Sequence, residues 1–202
     1  MRQVQQNKLL REEAILSSLK KLDYLSRGQI QRLHDLGGDR NARRVLSNMS
    51  EFIASFRGDT GESIFYLNKT GRERVGSDVV RQKLSQVNHY LMRNDYYIRF
   101  KPNDWKNEMK LSVKDVITVI PDSYFLLQMR RHFLEVDHLQ HMVKNRDKIE
   151  KYKKLKSTSA VQDKLKYFPK LVWVTMTDGR KKQLLEWCEG LETTVYTWDE
   201  IK

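Results

Sequence analysis

Residues 121–138 read PDSYFLLQMRRHFLEVDH, two apolar runs with acidic side chains at their ends. Asp122 precedes the first run, and Glu135 and Asp137 close the second. Short apolar runs bounded by turn-forming residues are typical of β-strands. Successive side chains of a strand point to opposite faces, so Glu135 and Asp137 are expected to project from the same face.

These acids admit two interpretations. Asp122 and Glu135 lie on consecutive strands and can converge on a Mg²⁺ ion, which prefers oxygen ligands and can generate a hydroxide nucleophile. Glu108 and Asp137 are then auxiliary acidic candidates for a catalytic site. Alternatively, Asp122 is a turn residue that follows proline, and the other two acids are partners of nearby basic side chains.

The flanking sequence predicts a mixed sheet with helices on its faces. A basic helix over 144–156 holds seven Lys or Arg residues. Lys151, Lys153 and Lys154 on this helix are candidate contacts to DNA phosphates. The remaining predicted elements are a helix at 78–93, a strand at 96–100, a strand within DVITVI (115–120), a buried central strand at 170–176, a helix within 178–191 and a strand within 193–198.

Toward the N-terminus, apolar spacings of three and four predict three short helices followed by a β-hairpin. Helices are predicted at about 8–22, from an N-cap at Ser26, and from an N-cap at Asp39, and the hairpin pairs 53–57 with 63–68. The third helix has one apolar stripe, formed by Ala42, Val45, Leu46 and Met49. This order is that of a winged helix, in which the third helix enters the major groove of DNA.

The polar face of the third helix supplies the candidate nucleic-acid contacts. Arginine and asparagine can read guanine and adenine edges through two hydrogen bonds each. The other interpretation is an ordinary solvated helix face. Thr70 and Glu73 have capping-box spacing and predict the start of the next helix. The candidate contacts in this half are Arg40, Asn41, Arg43, Arg44 and Ser47, with Arg57 on the hairpin and Lys69 and Arg72 after it.

The chain has 202 residues and a net charge of +12, which favours a phosphate polymer such as double-stranded DNA as the partner. No apolar run reaches the length of about 18 residues that a membrane span needs, and no signal peptide is visible. A cytoplasmic protein without membrane contact is therefore expected. The lone Cys188 is expected to be a buried structural thiol.

An acid on one strand, a motif like E-x-K on the next and a basic helix after it resemble the PD-(D/E)XK nuclease superfamily. The matching residues are Pro121, Asp122, Glu135 and Asp137. Asp137 stands where that superfamily carries lysine, a departure from the catalytic pattern, and Lys148 or Lys151 on the following helix is a candidate replacement. Mg²⁺ is implied only if the site is catalytic.

More of the chain resembles the replication-relaxation family of plasmids and related mobile elements. The resemblance lies in LGGDRNARRVLSNM (36–49), IFYLNKTGRERVG (64–76), PDSYF (121–125), HFLEVDH (132–138), KIEKYKKL (148–155) and VWVTMTDGRKKQLLE (172–186). It implies a role in replicating a mobile element and relaxing its DNA, with E-x-D in place of E-x-K.

The expected fold is therefore α+β, with a winged helix-turn-helix domain at 1–76 and a mixed-sheet, nuclease-like α/β domain at 77–202. The expected function is DNA binding in replication, relaxation or mobilisation of a plasmid, integrative element or phage, through a degenerate nuclease-like domain and without a cofactor. The alternatives are an active Mg²⁺-dependent nickase or endonuclease and a transcriptional repressor. Further candidate partners are other replication or relaxosome proteins and a second copy of the chain.

Overall fold

The computed structural model describes residues 2–84, 86–113 and 117–202. The chain forms two compact units, Met1–Asn94 and Asp95–Lys202. The boundary expected from the sequence lay between residues 76 and 77. In the described part of the chain, no helix is long and apolar enough to cross a membrane.

Unit 1 contains a short antiparallel sheet and several helices, in agreement with the three helices and hairpin predicted. The strands lie in the order β1–β3–β2, and Ile53 pairs with Leu67 across the hairpin. The elements are α1 Arg2–Leu22, β1 Leu25–Ser26, α2 Arg27–Leu33, α3 Asp39–Ser47, β2 Ile53–Arg57, β3 Ser63–Leu67 and α4 Lys69–Val75.

Two of the three predicted N-cap positions in this unit are wrong, by one residue and by two residues. Ser26 caps α2 as predicted, with a capping box to Gln29. Gly38, not Asp39, is the N-cap of α3, and Asp39 lies in the first turn, where its charge still favours the helix N-terminus. Asn68, not Thr70, caps α4, because its side chain accepts a hydrogen bond from the Gly71 amide at 2.9 Å.

The predicted helix at 78–93 begins only at Val87, since α5 is Val87–Phe100. Residues 78–84 are not helical, and Ser85 lies outside the described residues. Arg81 donates two hydrogen bonds to Asp23, at 2.8 and 3.1 Å, and thereby holds this segment against the end of α1. Tertiary hydrogen bonds thus override the helical spacing of the apolar residues.

The first part of α5 is tied to unit 1 by buried polar contacts. Arg93 donates to Asp23 at 2.8 Å and to the Leu22 carbonyl at 3.0 Å. Asn94 donates to the carbonyls of Leu22 and Tyr24. These bonds explain why residues after the expected boundary at 76 belong to the first compact unit.

The predicted strand at 96–100 is wrong, because these residues form the last turns of α5. Tyr96 is buried, and its ring lies 5.5 Å from that of Phe125 and 6.2 Å from that of Tyr196. The aromatic and β-branched composition suggested a strand. Packing of one helix face on the sheet of unit 2 outweighs that intrinsic preference.

Unit 2 has a five-stranded mixed sheet, as predicted, in the order β10–β9–β8–β7–β4. In this sheet β7 pairs antiparallel with both β4 and β8, and β9 pairs parallel with both β8 and β10. The elements are β4 Asn103–Asn107, β5 Leu111–Val113, β6 Ile117–Val119, β7 Ser123–Leu127, β8 Arg130–Asp137, α6 Met142–Ser157, α7 Ala160–Leu165, β9 Lys170–Thr175, α8 Asp178–Trp187, β10 Thr193–Thr197 and α9 Trp198–Ile201.

Three strands of unit 2 differ from the sequence expectation: β4 and β5 were not predicted, and β6 pairs outside the five-stranded sheet. The edge strand β4 was not predicted because NDWKN lacks the alternation of apolar and polar residues that indicates a strand. A strand at the edge of a sheet can form with little of this alternation. The strand predicted within 115–120 appears as β6, but it pairs with β5 in a separate hairpin. The start of that predicted strand, at 115 and 116, lies outside the described residues.

Helices α6 and α8 cover one face of the sheet over an apolar core. Phe133 and Trp173 from the sheet pack there against Ile149 and Tyr152 of α6 and Leu184 of α8. Cys188 is buried in the same core, as expected, and burial raises the pKa of its thiol to about 11. Burial of this apolar surface positions α6 above β8, where the acids lie.

Candidate functional site

Helix α3 separates an apolar face from a basic one, as its spacing predicted. Its apolar stripe is buried, with Ala42 and Met49 fully inaccessible to solvent. The exposed side chains on the other face are those of Arg40, Arg43, Arg44 and Ser47. The apolar stripe therefore fixes the orientation of the helix and directs these arginines outward.

Asn41 is half-buried and holds α3 and one of its arginines in place. Its amide donates to the Leu36 carbonyl at 2.8 Å, and its side-chain oxygen accepts from Arg44 at 2.7 Å. This residue, predicted as a base-reading candidate, is thus already engaged within unit 1. Its contacts preorganise the guanidinium of Arg44 on the exposed face.

An open groove of about 410 Å³ lies between α3 and the β2–β3 hairpin. Arg27, Arg43 and Arg57 line it, together with the hydroxyls of four serines. Arg57 donates to the Gly61 carbonyl of the hairpin turn at 2.7 Å, and Arg27 lies 3.2 Å from Asp39. The groove presents positive charge and hydroxyl donors, both of which suit a phosphate oxygen. The serines are Ser47, Ser50, Ser55 and Ser63.

The two candidates after the hairpin lie on α4. Lys69 is exposed in its first turn, and Arg72 is half-buried. Both remain predicted phosphate contacts.

In unit 2, Asp122 and Glu135 converge as the sequence predicted. Asp122 Oδ2 accepts a hydrogen bond from the Val136 amide at 2.7 Å, which ties the start of β7 to the end of β8. Lys148 of α6 reaches both acids, since its Nζ donates to Glu135 Oε2 and lies 3.8 Å from Asp122 Oδ1. Lys148, a candidate replacement for the missing lysine of the motif, is therefore the basic partner of the acid pair.

Glu135 is fully buried, and Tyr152 donates to its Oε1 at 2.5 Å. Burial raises the pKa of Glu135 to about 8, although Lys148 and the hydrogen bond from Tyr152 act against the increase. Burial also opposes the charge on Lys148, but the carboxylates of Glu135 and Asp122 outweigh this effect and raise its pKa. Burial thus favours the protonated form of Glu135, whereas Lys148 favours the charged form.

Asp137 shares the face of Glu135, as predicted, but its carboxylate is engaged in other contacts. Arg180 of α8 donates to both of its oxygens, at 2.5 and 2.6 Å, and Thr175 donates at 2.7 Å. Burial opposes ionisation of Asp137, but hydrogen bonds from Arg180, Asn145 and Thr175 lower its pKa below the ordinary value. This fully bonded carboxylate links β8, β9 and α8.

Glu108, the other auxiliary acid, lies just beyond the end of β4. Its amide donates to the Asp122 carbonyl at 3.3 Å, which places its backbone next to the acid pair. Its negative charge contributes to the raised pKa of Lys148. Glu108 therefore acts on the site electrostatically.

As arranged, the acid pair does not fit a divalent cation. The described residues contain no group of three or more His, Cys, Asp or Glu side chains placed to hold a metal. The ammonium group of Lys148 lies against both carboxylates, and Val136 and Tyr152 use further carboxylate oxygens. Mg²⁺ would have to compete with Lys148 for the same oxygens.

The structure separates the three predicted basic contacts of α6. Lys151 is exposed and lies on the flank that carries Lys148. Lys153 is half-buried, lies on the opposite flank and pairs with Glu150 at 3.2 Å, and Lys154 is exposed. Their spacing in the sequence predicted the basic helix but not this division.

Sequence reasoning missed two side chains that hold the acids. Tyr152 had a usable signal, because it follows Lys148 by four residues and so shares a helix face with it. Arg180 had none, since it is far from Asp137 in the sequence and only the fold brings them together.

Comparisons with known proteins bear on the family. No curated protein matches the chain significantly. A crystal structure of protein VC1899 from Vibrio cholerae is similar over 97% of this chain, at 12% identity and a TM-score of 0.34. The chain spans about half of that protein, with 50% of it covered. The profile of the replication-relaxation family matches residues 16–171, and the chain therefore belongs to the replication-relaxation family.

Proposed function

We propose that this protein binds double-stranded DNA of a plasmid, integrative element or phage and acts in the replication or relaxation of that DNA. Unit 1 binds as a winged helix, with α3 in the major groove and the β2–β3 hairpin along the backbone. Unit 2 is a nuclease-like scaffold whose acid pair is neutralised by Lys148. Membership in the replication-relaxation family supports the biological role.

The observation that carries the proposal is the basic face of α3 beside the arginine-lined groove. Arg40 and Arg44 lie on a helix whose opposite face is anchored in the core. Arg43 and Arg57 border the groove between that helix and the hairpin. Exposed arginines on a rigid helix can read base edges, whereas those beside the groove can hold phosphates.

The net charge of +12 supports a polyanionic partner. Binding through phosphates releases counterions, so the affinity is expected to fall steeply as the salt concentration rises. An affinity that does not change with salt would contradict this mode of binding.

The experiment begins with selection from randomised duplexes, which identifies the preferred sequence directly. Affinities for the selected duplex and a scrambled duplex are then compared by fluorescence anisotropy. Replacing Arg40 and Arg44 by alanine should remove most of the difference, at about 1–3 kcal/mol of discrimination for each lost base contact.

A matched control removes the same charge elsewhere on unit 1. Lys8→Ala/Lys83→Ala changes two exposed lysines outside α3 and the hairpin. This variant should keep the preference for the selected sequence. Equal loss of preference in both variants would show that α3 does not read bases, and the absence of any selected sequence in the wild type would remove the sequence-reading role.

A Mg²⁺-dependent nickase is the second candidate, and one observation favours it. Asp122, Glu135 and Lys148 converge at the end of β8, although the Lys148 ammonium group lies against both carboxylates. Supercoiled plasmid incubated with Mg²⁺, Mn²⁺ or EDTA should be retarded but uncut. Open-circle product that requires metal and disappears in both Asp122→Ala and Glu135→Ala would favour the nickase instead.

A further inference from the structure

Helix α6 presents two chemically different flanks. Lys144, Lys148 and Lys151 follow one another at spacings of four and three, which places them along one side of the helix. On the other flank, Lys153 pairs with Glu150, and the Arg146 guanidinium lies 5.9 Å from the Trp187 ring centre. The basic charge of α6 is therefore concentrated on one side and compensated on the other.

The first flank borders an open groove of about 530 Å³. Lys144, Lys148 and Lys151 form one wall, and residues 118–120 at the end of β6 form part of the other. Thr118 and Gln140 contribute polar groups, and Ile120 contributes an exposed apolar side chain. Lys148 connects this groove to the acid pair, since its Nζ bonds to Glu135.

We propose that this groove binds a DNA strand through its phosphates, with Lys144 and Lys151 as the contacting cations. The inference rests on the proposed function and names the surface by which unit 2 takes part in it. A strand in this groove would pass beside Asp122 and Glu135. Lys148 keeps its contacts with the two acids, and these contacts hold its side chain at this wall of the groove.

The charges of the groove suit a phosphodiester chain. Lys144 and Lys151 are exposed, and neither forms an ion pair with a carboxylate of the described residues. Two such ammonium groups, two helical turns apart, can each neutralise a phosphate. Asp147 also borders the groove and weakens the attraction, so this surface supports binding without dominating it.

The opposite flank is poorly suited to DNA. The depression beside Lys153 and Arg146 is bordered by Glu150, Glu186 and Glu189. Carboxylates at these positions repel phosphates. The inference therefore assigns the DNA contact to Lys144 and Lys151 and removes Lys153 from the contacts predicted by sequence.

Two double variants of the full chain test this assignment with equal charge changes. Lys144→Ala/Lys151→Ala removes the groove cations, and Arg146→Ala/Lys153→Ala removes two cations from the opposite flank of the same helix. Affinity for a scrambled duplex and for its separated strand is measured from about 50 to 200 mM salt. The groove variant should make the fall of log affinity with log salt less steep by about 1.8 for the duplex, at roughly 0.9 per lost phosphate contact.

The control variant should keep a slope close to that of the wild type. Lys144→Arg/Lys151→Arg retains both charges and should restore the wild-type slope, which excludes damage to the fold as the cause. A slope change confined to the separated strand would identify unpaired DNA as the occupant, and a change confined to the duplex would identify the duplex.

Equal slopes for the two alanine variants would overturn the groove assignment and leave the proposed function intact. If the wild type itself shows no salt-dependent binding, the proposed function fails and this inference fails with it. An unchanged slope in the groove variant, together with loss of base preference in Arg40→Ala/Arg44→Ala, would confine DNA binding to unit 1.

Discussion

Replacing Arg180 by alanine should destabilise unit 2 by about 3 kcal/mol, because it leaves the buried carboxylate of Asp137 without its main partner. The Asp137 side chain is 0% exposed and that of Arg180 is 21% exposed. Breaking a buried ion pair costs about 3–5 kcal/mol, and the partial exposure of Arg180 places the loss at the lower end. Thr175 still donates to Asp137 in this variant, which also limits the loss.

The assay is urea unfolding followed by tryptophan fluorescence. All four tryptophans of the chain, Trp105, Trp173, Trp187 and Trp198, lie in unit 2, so this signal reports on that unit. The neighbouring Lys181→Ala removes the same charge from the same helix but breaks only a surface pair with Glu200, and its loss should be much smaller.

The pH dependence provides an independent check on Arg180. The folded-state pKa of Asp137 is lowered, so the pair contributes stability above the ordinary carboxyl value of 3.8 and loses it as the pH falls below that value. Arg180→Ala should therefore flatten the decrease in stability at acidic pH. In an Asp137→Asn background the cost of Arg180→Ala should shrink markedly. A similar cost in both backgrounds, or one equal to that of Lys181→Ala, would refute this account of the buried pair.

Two further predictions concern a close backbone contact and the acid pair. Gly71→Ala should destabilise unit 1 because its Cβ would lie 2.0 Å from the Phe52 carbonyl oxygen, and this should appear as faster hydrogen exchange in β2 and β3. Gly38→Ala in the same unit, where a Cβ meets nothing within 4 Å, should have a much smaller effect, and equal effects would contradict this account. Lys148→Met should raise the pKa of Glu135 above its value of about 8 in carboxyl-carbon NMR titrations, since a nearby positive charge is lost. Folding takes up a proton at such a group, so the wild type should lose stability as the pH rises from 4.5 to about 8, and Glu135→Gln should not show this loss. A pKa of Glu135 that Lys148→Met leaves unchanged would refute the coupling between the two side chains.

Much of unit 1 could be predicted from sequence because its signals are local. The stripe of α3 and the hairpin at 53–57 and 63–67 depend on spacings within a few residues. The N-cap of α4 lies two residues before the predicted Thr70 because the Asn68 side chain accepts from the Gly71 amide, and the N-cap of α3 lies one residue before the predicted Asp39, at Gly38. These errors leave the exposed face of α3 unchanged.

The errors in the middle of the chain have a different cause. The segment at 78–84 is held by contacts to Asp23 and Tyr24, which are distant in sequence. Residues 96–100 have the composition of a strand, yet Tyr96 is buried between Phe125 and Tyr196 as part of a helix. Neither arrangement has a local signal, so only the packed structure distinguishes them from the predicted ones.

Composition and periodicity were enough to establish the basic character of the chain, the polar face of α3, the shared face of Glu135 and Asp137, and Lys148 as a candidate partner of the acids. These properties depend on residue counts and on the repeats of helices and strands. Three-dimensional packing was needed to show that Lys148 lies against Asp122 and Glu135, that Arg180 binds Asp137, and that the lysines of α6 divide between two flanks. Such contacts join residues from different elements, and their geometry depends on how the apolar core orients each helix on the sheet.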